Sequence, residues 1–181
     1  SLPDGAVTVN VVVRPAAMVL LWQANDSYVP PFYKGKAFPT ADSEVKVVAM
    51  PEIRTGSVMV DPAKLIYTWK KNYGNEPGGS GYGKNFFLFS SDYLEDSNSI
   101  GVTASTLDNT HSSEKTISIA NYQPKILFYK NDPAVGTLWE KTLSDGHPII
   151  GSEIMQAEPY FVSPEDIRIP ILVFKWFIND E

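Results

Sequence analysis

Residues 65–72 read Leu-Ile-Tyr-Thr-Trp-Lys-Lys-Asn, and the chain writes the same pattern again at 172–179 as Leu-Val-Phe-Lys-Trp-Phe-Ile-Asn. In the first copy Leu65, Tyr67 and Trp69 recur every second residue while Thr68 and Lys70 occupy the alternate positions. That period belongs to a strand with one buried and one wet face. An indole at the middle of such a strand is long enough to bridge the roughly 10 Å between two facing sheets. The pattern therefore predicts a two-layer core built on Leu65, Tyr67 and Trp69, with Phe174 and Trp176 as their counterparts 107 residues later.

The rest of the chain punctuates like a sheet protein. Val7, Val9, Val11 and Val13 alternate within 6–13; 18–22 is a short apolar run; Val45, Val47 and Ala49 alternate within 44–50 until Pro51 stops the strand. Short runs at 85–89, 100–105 and 115–120 follow, with Gly, Pro, Asn and Ser between them, and no stretch of 12 residues holds a helical period. At most a single helical turn fits within 58–64 or 91–97. The expectation is an all-β antiparallel β-sandwich.

Three more echoes share the interval. Asn25-Asp26 returns as Asn131-Asp132, Ser43-Glu44-Val45 as Ser152-Glu153-Ile154, and Ala49-Met50-Pro51 as Ala157-Glu158-Pro159, at offsets of 106 to 109. Four matches in one order predict a tandem repeat with a unit about one domain long. Val11 and Val13 fall 106 residues before Ile117 and Ile119. The division that follows is 1–15 as the closing strand of a preceding unit, 16–122 as a complete unit, and 123–181 as the first half of another. Such a half leaves Leu172, Phe174 and Trp176 without a facing sheet, so a neighbouring unit or another copy of the chain, donating a strand, is expected to cover them.

Composition narrows the function. Fifteen Lys and Arg against 21 Asp and Glu leave a net charge of −6, which repels a phosphate backbone and argues against nucleic acid. With no Cys there is no disulfide, thiol nucleophile or thiolate metal site. No apolar run nears the roughly 18 residues of a membrane helix, so this segment is expected to make no membrane contact.

The Tyr67-Thr68-Trp69 strand, the Ser-Glu-Val-Lys-Val-Val-Ala run before it and the interval near 107 residues together resemble the cysteine-free immunoglobulin-like domains of bacterial surface proteins, including the polycystic-kidney-disease-like modules. The chain departs from antibody domains in lacking a Cys pair, and from the latter modules in that Lys-Lys-Asn follows Trp69. The resemblance implies an extracellular or cell-surface location and a non-enzymatic spacer or adhesive role, with no cofactor.

Candidate chemistry is sparse. Residues 78–85, Gly-Gly-Ser-Gly-Tyr-Gly-Lys-Asn, have the glycine spacing of a phosphate loop, but Asn85 stands where Ser or Thr would bind Mg²⁺ and a strand follows instead of a helix. The two histidines, His111 and His147, lie in turn contexts, one per unit, too few for a zinc site. Asp92, Glu95 and Asp96, and the repeated Asn-Asp pair, invite calcium at a junction, but no alternating acidic loop supplies its six to eight oxygens. An isopeptide staple from Lys46, Lys64, Lys70 or Lys115 is compatible with the pattern.

The strongest ligand candidates are aromatic. Tyr28, Phe32, Tyr33 and Phe38 crowd a segment with three prolines, and Tyr73 and Tyr82 lie in the glycine-rich one; together they suggest a stacking platform for sugar rings. The competing expectation is that these rings pin a loop that lacks ladder hydrogen bonds, since Trp139 recurs near the position of Phe32 and Tyr33. The readings carried forward are a structural or adhesive module, a carbohydrate-binding module, and an accessory β-domain of a larger secreted enzyme.

Overall fold

The computed structural model describes residues 17–168 and 172–177. The expected closing strand within 1–15, with Val11 and Val13, lies outside the described residues, as do positions 178 and 179.

In chain order the strands are β1 (Ala17–Ala24), β2 (Glu44–Glu52), β3 (Arg54–Thr55), β4 (Val58–Met59), β5 (Ile66–Lys71), β6 (Gly74–Asn75), β7 (Gly81–Tyr82), β8 (Phe86–Ser90), β9 (Ser97–Ser105), β10 (Ser112–Ala120), β11 (Lys125–Asp132), β12 (Gly136–Thr142) and β13 (Ile154–Tyr160). A 3-10 turn at Pro62–Lys64 precedes β5, and one short helix, α1 (Pro164–Arg168), follows β13. The protein is all-β, and every strand pairing is antiparallel. The helical turn falls inside 58–64, where Asp61 accepts from the Ala63 amide and Pro62 opens the turn. Helix α1 was not foreshadowed by the sequence pattern.

Three sheets matter. The first has the order β1-β2-β8, the second β10-β9-β5-β6 with β7 also on β5, and the third β12-β11-β13. The first two share one core. Met18, Val45, Val47, Ala49, Phe87 and Phe89 come from one side, and Leu65, Tyr67, Trp69, Ile100, Val102, Ala104 and Ile119 from the other. Strand alternation puts each set inward, so β2 reads exposed at Glu44, buried at Val45, Val47 and Ala49, and exposed again at Met50.

Trp69 is fully buried and stacks on Phe87 of the opposite sheet, centroids 5.6 Å apart. Its Nε1 donates to the Lys84 carbonyl at 2.9 Å, which satisfies the one polar atom an indole carries inward. The residues 78–84 that spell a phosphate-loop spacing are thus the cover over this ring. Ser80 Oγ accepts from the Trp69 amide at 2.8 Å and donates to Glu76 O, and Lys84 Nζ turns back onto Gly78 O at 2.8 Å.

Gly79 lies so close to the core that an added Cβ would sit 2.5 Å from the Phe87 ring. Because Phe87 is itself held between Trp69 and Phe89, it has nowhere to go. Gly79→Val is expected to destabilise by about 1–3 kcal/mol through overpacking, read from the urea midpoint.

Tyr67, also fully buried, donates its hydroxyl to Pro62 O at 2.9 Å. Burial, with a smaller push from Asp61, raises its pKa from 10.0 to about 12. Between those values the unfolded chain releases the proton while the folded chain keeps it, so stability falls as pH rises through that window and is complete below it. Tyr67 should contribute about 2 kcal/mol to the stability lost from pH 10 to 12, read as the difference between denaturant titrations of the protein and of its Tyr67→Phe variant. Tyr67→Phe should remove much of that slope and cost about 1 kcal/mol at neutral pH for the lost hydrogen bond.

In the third sheet, Leu127 and Tyr129 point to one face, and Ile126 and Phe128 to the other, where Pro159 and Ala157 stand directly opposite them on β13. Leu172 to Phe177 carry no strand pairing, in contrast to the expected second tryptophan strand. Trp176 is 56% exposed and Phe174 43%, so neither occupies a core position of the kind the sequence pattern assigned to them. The physical reason is the absence, among the described residues, of an opposing sheet: a strand needs both a ladder partner and a layer over its apolar face. Trp176 does reach Phe128, ring centroids 5.7 Å apart.

Candidate functional site at an aromatic junction

Residues 25–43, between β1 and β2, cannot extend either strand because three prolines interrupt them. Their ends are tied instead by side chains. Asp26 Oδ1 accepts from the Glu44 amide at 2.8 Å, Asn25 Nδ2 donates to Glu44 Oε1 at 2.7 Å, and Ser43 Oγ accepts from the Thr40 amide at 3.0 Å while donating to Thr40 O at 2.8 Å. The Asn25-Asp26 pair is thereby spent on loop closure. In the echo Asp132 Oδ1 instead accepts from the Ala134 and Val135 amides, within the turn between β11 and β12.

So anchored, the loop reaches the third sheet. Tyr28 and Val162 form an isolated antiparallel bridge, with the Tyr28 amide on Val162 O at 3.0 Å and the Phe161 amide on Tyr28 O at 2.8 Å. Around that bridge, Val29, Phe32, Tyr33 and Phe38 pack on Leu127, Tyr129, Tyr160 and Phe161. Phe32 lies 4.1 Å from Trp139 and edge-on to Tyr129 at 6.2 Å; Tyr33 meets Tyr160 and Phe161 edge-on; Phe38 stacks on Tyr122 at 4.1 Å and meets Phe161 at 5.2 Å. Offset and edge-on rings at these separations add to the area they bury.

The polar atoms inside the junction are paired. The Tyr129 and Tyr160 hydroxyls lie 2.6 Å apart, and Tyr28 donates to Glu158 Oε1 at 3.1 Å. Burial first, then the neighbouring Tyr129, raises the Tyr160 pKa; burial first, then Glu158, raises that of Tyr28. Lys36 places its Nζ 2.9 Å from the Trp22 ring centroid, and burial lowers its pKa.

Phe32, Tyr33 and Phe38 are therefore brought to one junction with their rings turned on Tyr129, Trp139, Tyr160, Phe161 and Tyr122, and Tyr28 joins it through its bridge to Val162 and its bond to Glu158. Tyr73 and Tyr82 lie elsewhere, 89% and 57% exposed. Tyr73 is the second residue of the two-residue turn joining β5 and β6, where Asn72 and Tyr73 both have positive φ, 48° and 68°. That geometry throws the ring into solvent. Trp139, Tyr129 and Tyr160 belong to the junction and were not singled out together from sequence. Only the recurrence of Trp139 hinted at them.

The remaining candidates have local partners. His111 Nδ1 lies 2.8 Å from Thr110 Oγ1, and His147 Nε2 2.9 Å from Glu153 Oε2, with Lys130 3.6 Å from the same carboxylate. Glu95 pairs with Lys71 at 3.2 Å and accepts from Asn72 at 2.9 Å, while Asp92 caps the Leu94 amide. Asp42, Glu95, Asp96 and Asp166 line a cleft of about 380 Å³ beside the junction, yet among the described residues no three His, Asp or Glu side chains converge to hold a metal ion. Lys46 lies over the Phe86 ring at 4.8 Å, Lys64 ends the 3-10 turn, and Lys70 and Lys115 are exposed on their strands. No helix among the described residues is long and apolar enough to cross a membrane.

No protein-family model matches the chain, and neither a curated protein nor a solved structure is detectably similar to it.

Proposed function

We propose that the chain is a non-enzymatic structural or adhesive module of a cell-surface or secreted protein, built from tandem immunoglobulin-like units. One observation carries the reading. Ile126, Phe128, Met155, Ala157 and Pro159, which share one face of the third sheet, follow the core-facing Leu20, Trp22, Val47, Ala49 and Pro51 of the first sheet at offsets of 106 and 108, with the β11–β13 pairing shifted by two residues from that of β1 and β2.

A junction filled with interlocked rings suits a spacer, since it resists bending between neighbouring units where a flexible linker would not. An antibody raised against the chain should label intact, unpermeabilised cells of its source. Labelling only after permeabilisation would refute the surface role.

A glycan-binding role rests on the exposed rings of Tyr73 and Tyr82 and not on the junction set. Glycan-array binding lost on Tyr73→Ala, but unchanged in Tyr33→Phe, would favour that reading over the spacer.

A further inference from the structure

Between β12 and β13 the chain leaves the third sheet. The start of that connection is tied down, the Leu143 amide donating to Phe128 O at 2.8 Å and the His147 amide to Ser144 O at 3.1 Å. Residues 148–152, Pro-Ile-Ile-Gly-Ser, are all exposed, Ile150 to 81%, and among the described residues no backbone hydrogen bond ties them to the rest of the chain. One side-chain contact closes their neck. His147 Nε2 lies 2.9 Å from Glu153 Oε2, with Lys130 Nζ of β11 3.6 Å from Glu153 Oε1.

An ionised carboxylate only accepts, so the proton in this contact belongs to His147 Nε2. Glu153 is ionised at every pH where an imidazole titrates, because the His147 hydrogen bond, seconded by Lys130, holds its carboxyl below the usual carboxylate range. The two cationic partners respond differently to pH: a lysine ammonium keeps its charge, whereas an imidazole gains or loses its own between about pH 5 and 8. Protonated His147 therefore makes a charge-assisted bond across the neck, and neutral His147 leaves a weaker one that requires the Nε2-protonated tautomer. Lys130 stands opposite Met155 on β13, so it secures Glu153 to the sheet whatever the state of His147. That asymmetry puts the effect of pH on the loop and not on the strands. Asp145, exposed in the turn before His147, is the remaining charged group of the connection.

We propose that His147, Glu153 and Lys130 form a proton-controlled latch on the 148–152 loop, in which imidazolium at His147 holds the neck shut in mild acid and loss of that proton frees the Ile149-Ile150 tip while β11 and β13 stay paired. The latch governs how two exposed apolar side chains are presented, fixed in mild acid and loose above neutrality. It depends neither on the spacer reading nor on where the protein resides.

The absence of Cys permits a direct test on the full chain. A nitroxide attached to Ile150→Cys reports the motion of the tip, at a position exposed enough for the label to leave the core intact. Its mobile fraction is expected to rise about two- to fivefold from about pH 5.5 to 8, the range for an exposed charge pair. His147→Gln and Glu153→Gln should each give the looser spectrum at both pH values, while His111→Gln, which removes the other histidine, should respond as the parent does. An identical parent spectrum at both pH values, or a response that survives either substitution at the latch, overturns the proposal. So does a response accompanied by loss of the β-sheet signal in circular dichroism, which would place it in the fold and not in the loop.

Discussion

Trp69→Ala is expected to destabilise the protein by about 3–5 kcal/mol, the range for emptying a large aromatic site in a packed core. Three losses combine. The indole leaves a void between the two sheets, Phe87 loses its stacking partner, and the Lys84 carbonyl loses its donor, Trp69 Nε1. The Gly-rich cover is also tied through the Trp69 amide to Ser80, so loosening the ring frees the 78–84 segment. Urea unfolding followed by circular dichroism gives the magnitude. Trp69→Phe separates the terms, since it keeps a ring against Phe87 and forfeits the donor; about 1–2 kcal/mol is expected there for the orphaned carbonyl. A change below about 1 kcal/mol for the alanine variant would contradict the burial on which the fold is argued.

Phe161→Ala should act at the junction with a cost of about 3 kcal/mol, at the lower end of the range for a buried phenylalanine. Phe161 is buried at the meeting point of Tyr33, Phe38, Tyr122 and Tyr160, with Lys125 Nζ 5.5 Å from its ring. It also holds φ at 56°, a conformation strained for any residue with a Cβ, so alanine keeps that strain and the loss reads the ring contacts alone. Hydrogen exchange should accelerate at the Tyr28 and Phe161 amides, whose bonds bridge the loop to the third sheet, while the β5 and β9 amides stay protected. Uniform loss of protection in both places would mean that the junction and the two-sheet core unfold as one body.

Local pattern was enough for the strands of the first two sheets. Leu65, Tyr67 and Trp69, like Val45 and Val47, alternate with polar neighbours, and a two-residue period combined with one apolar face has few solutions other than a sheet against a second layer. The turn chemistry was legible for the same reason: Asp61-Pro62 and Asn72-Tyr73-Gly74 prescribe backbone angles over three or four residues.

Partners across the chain were not. Nothing in Tyr28, Phe32, Tyr33 and Phe38 says whether their rings face a ligand, their own sheet or another one; the structure sets them on Tyr129, Tyr160 and Phe161, about 130 residues away for the Tyr28–Glu158 bond. Phe174 and Trp176 show the converse. They share the alternation of Tyr67 and Trp69, yet remain exposed, because a strand's apolar face is buried only if a second layer exists to meet it. Sequence determined which residues want to be inside and at what period; tertiary structure decided which of them have an inside to enter, since burial is a property of two surfaces and a strand encodes only one.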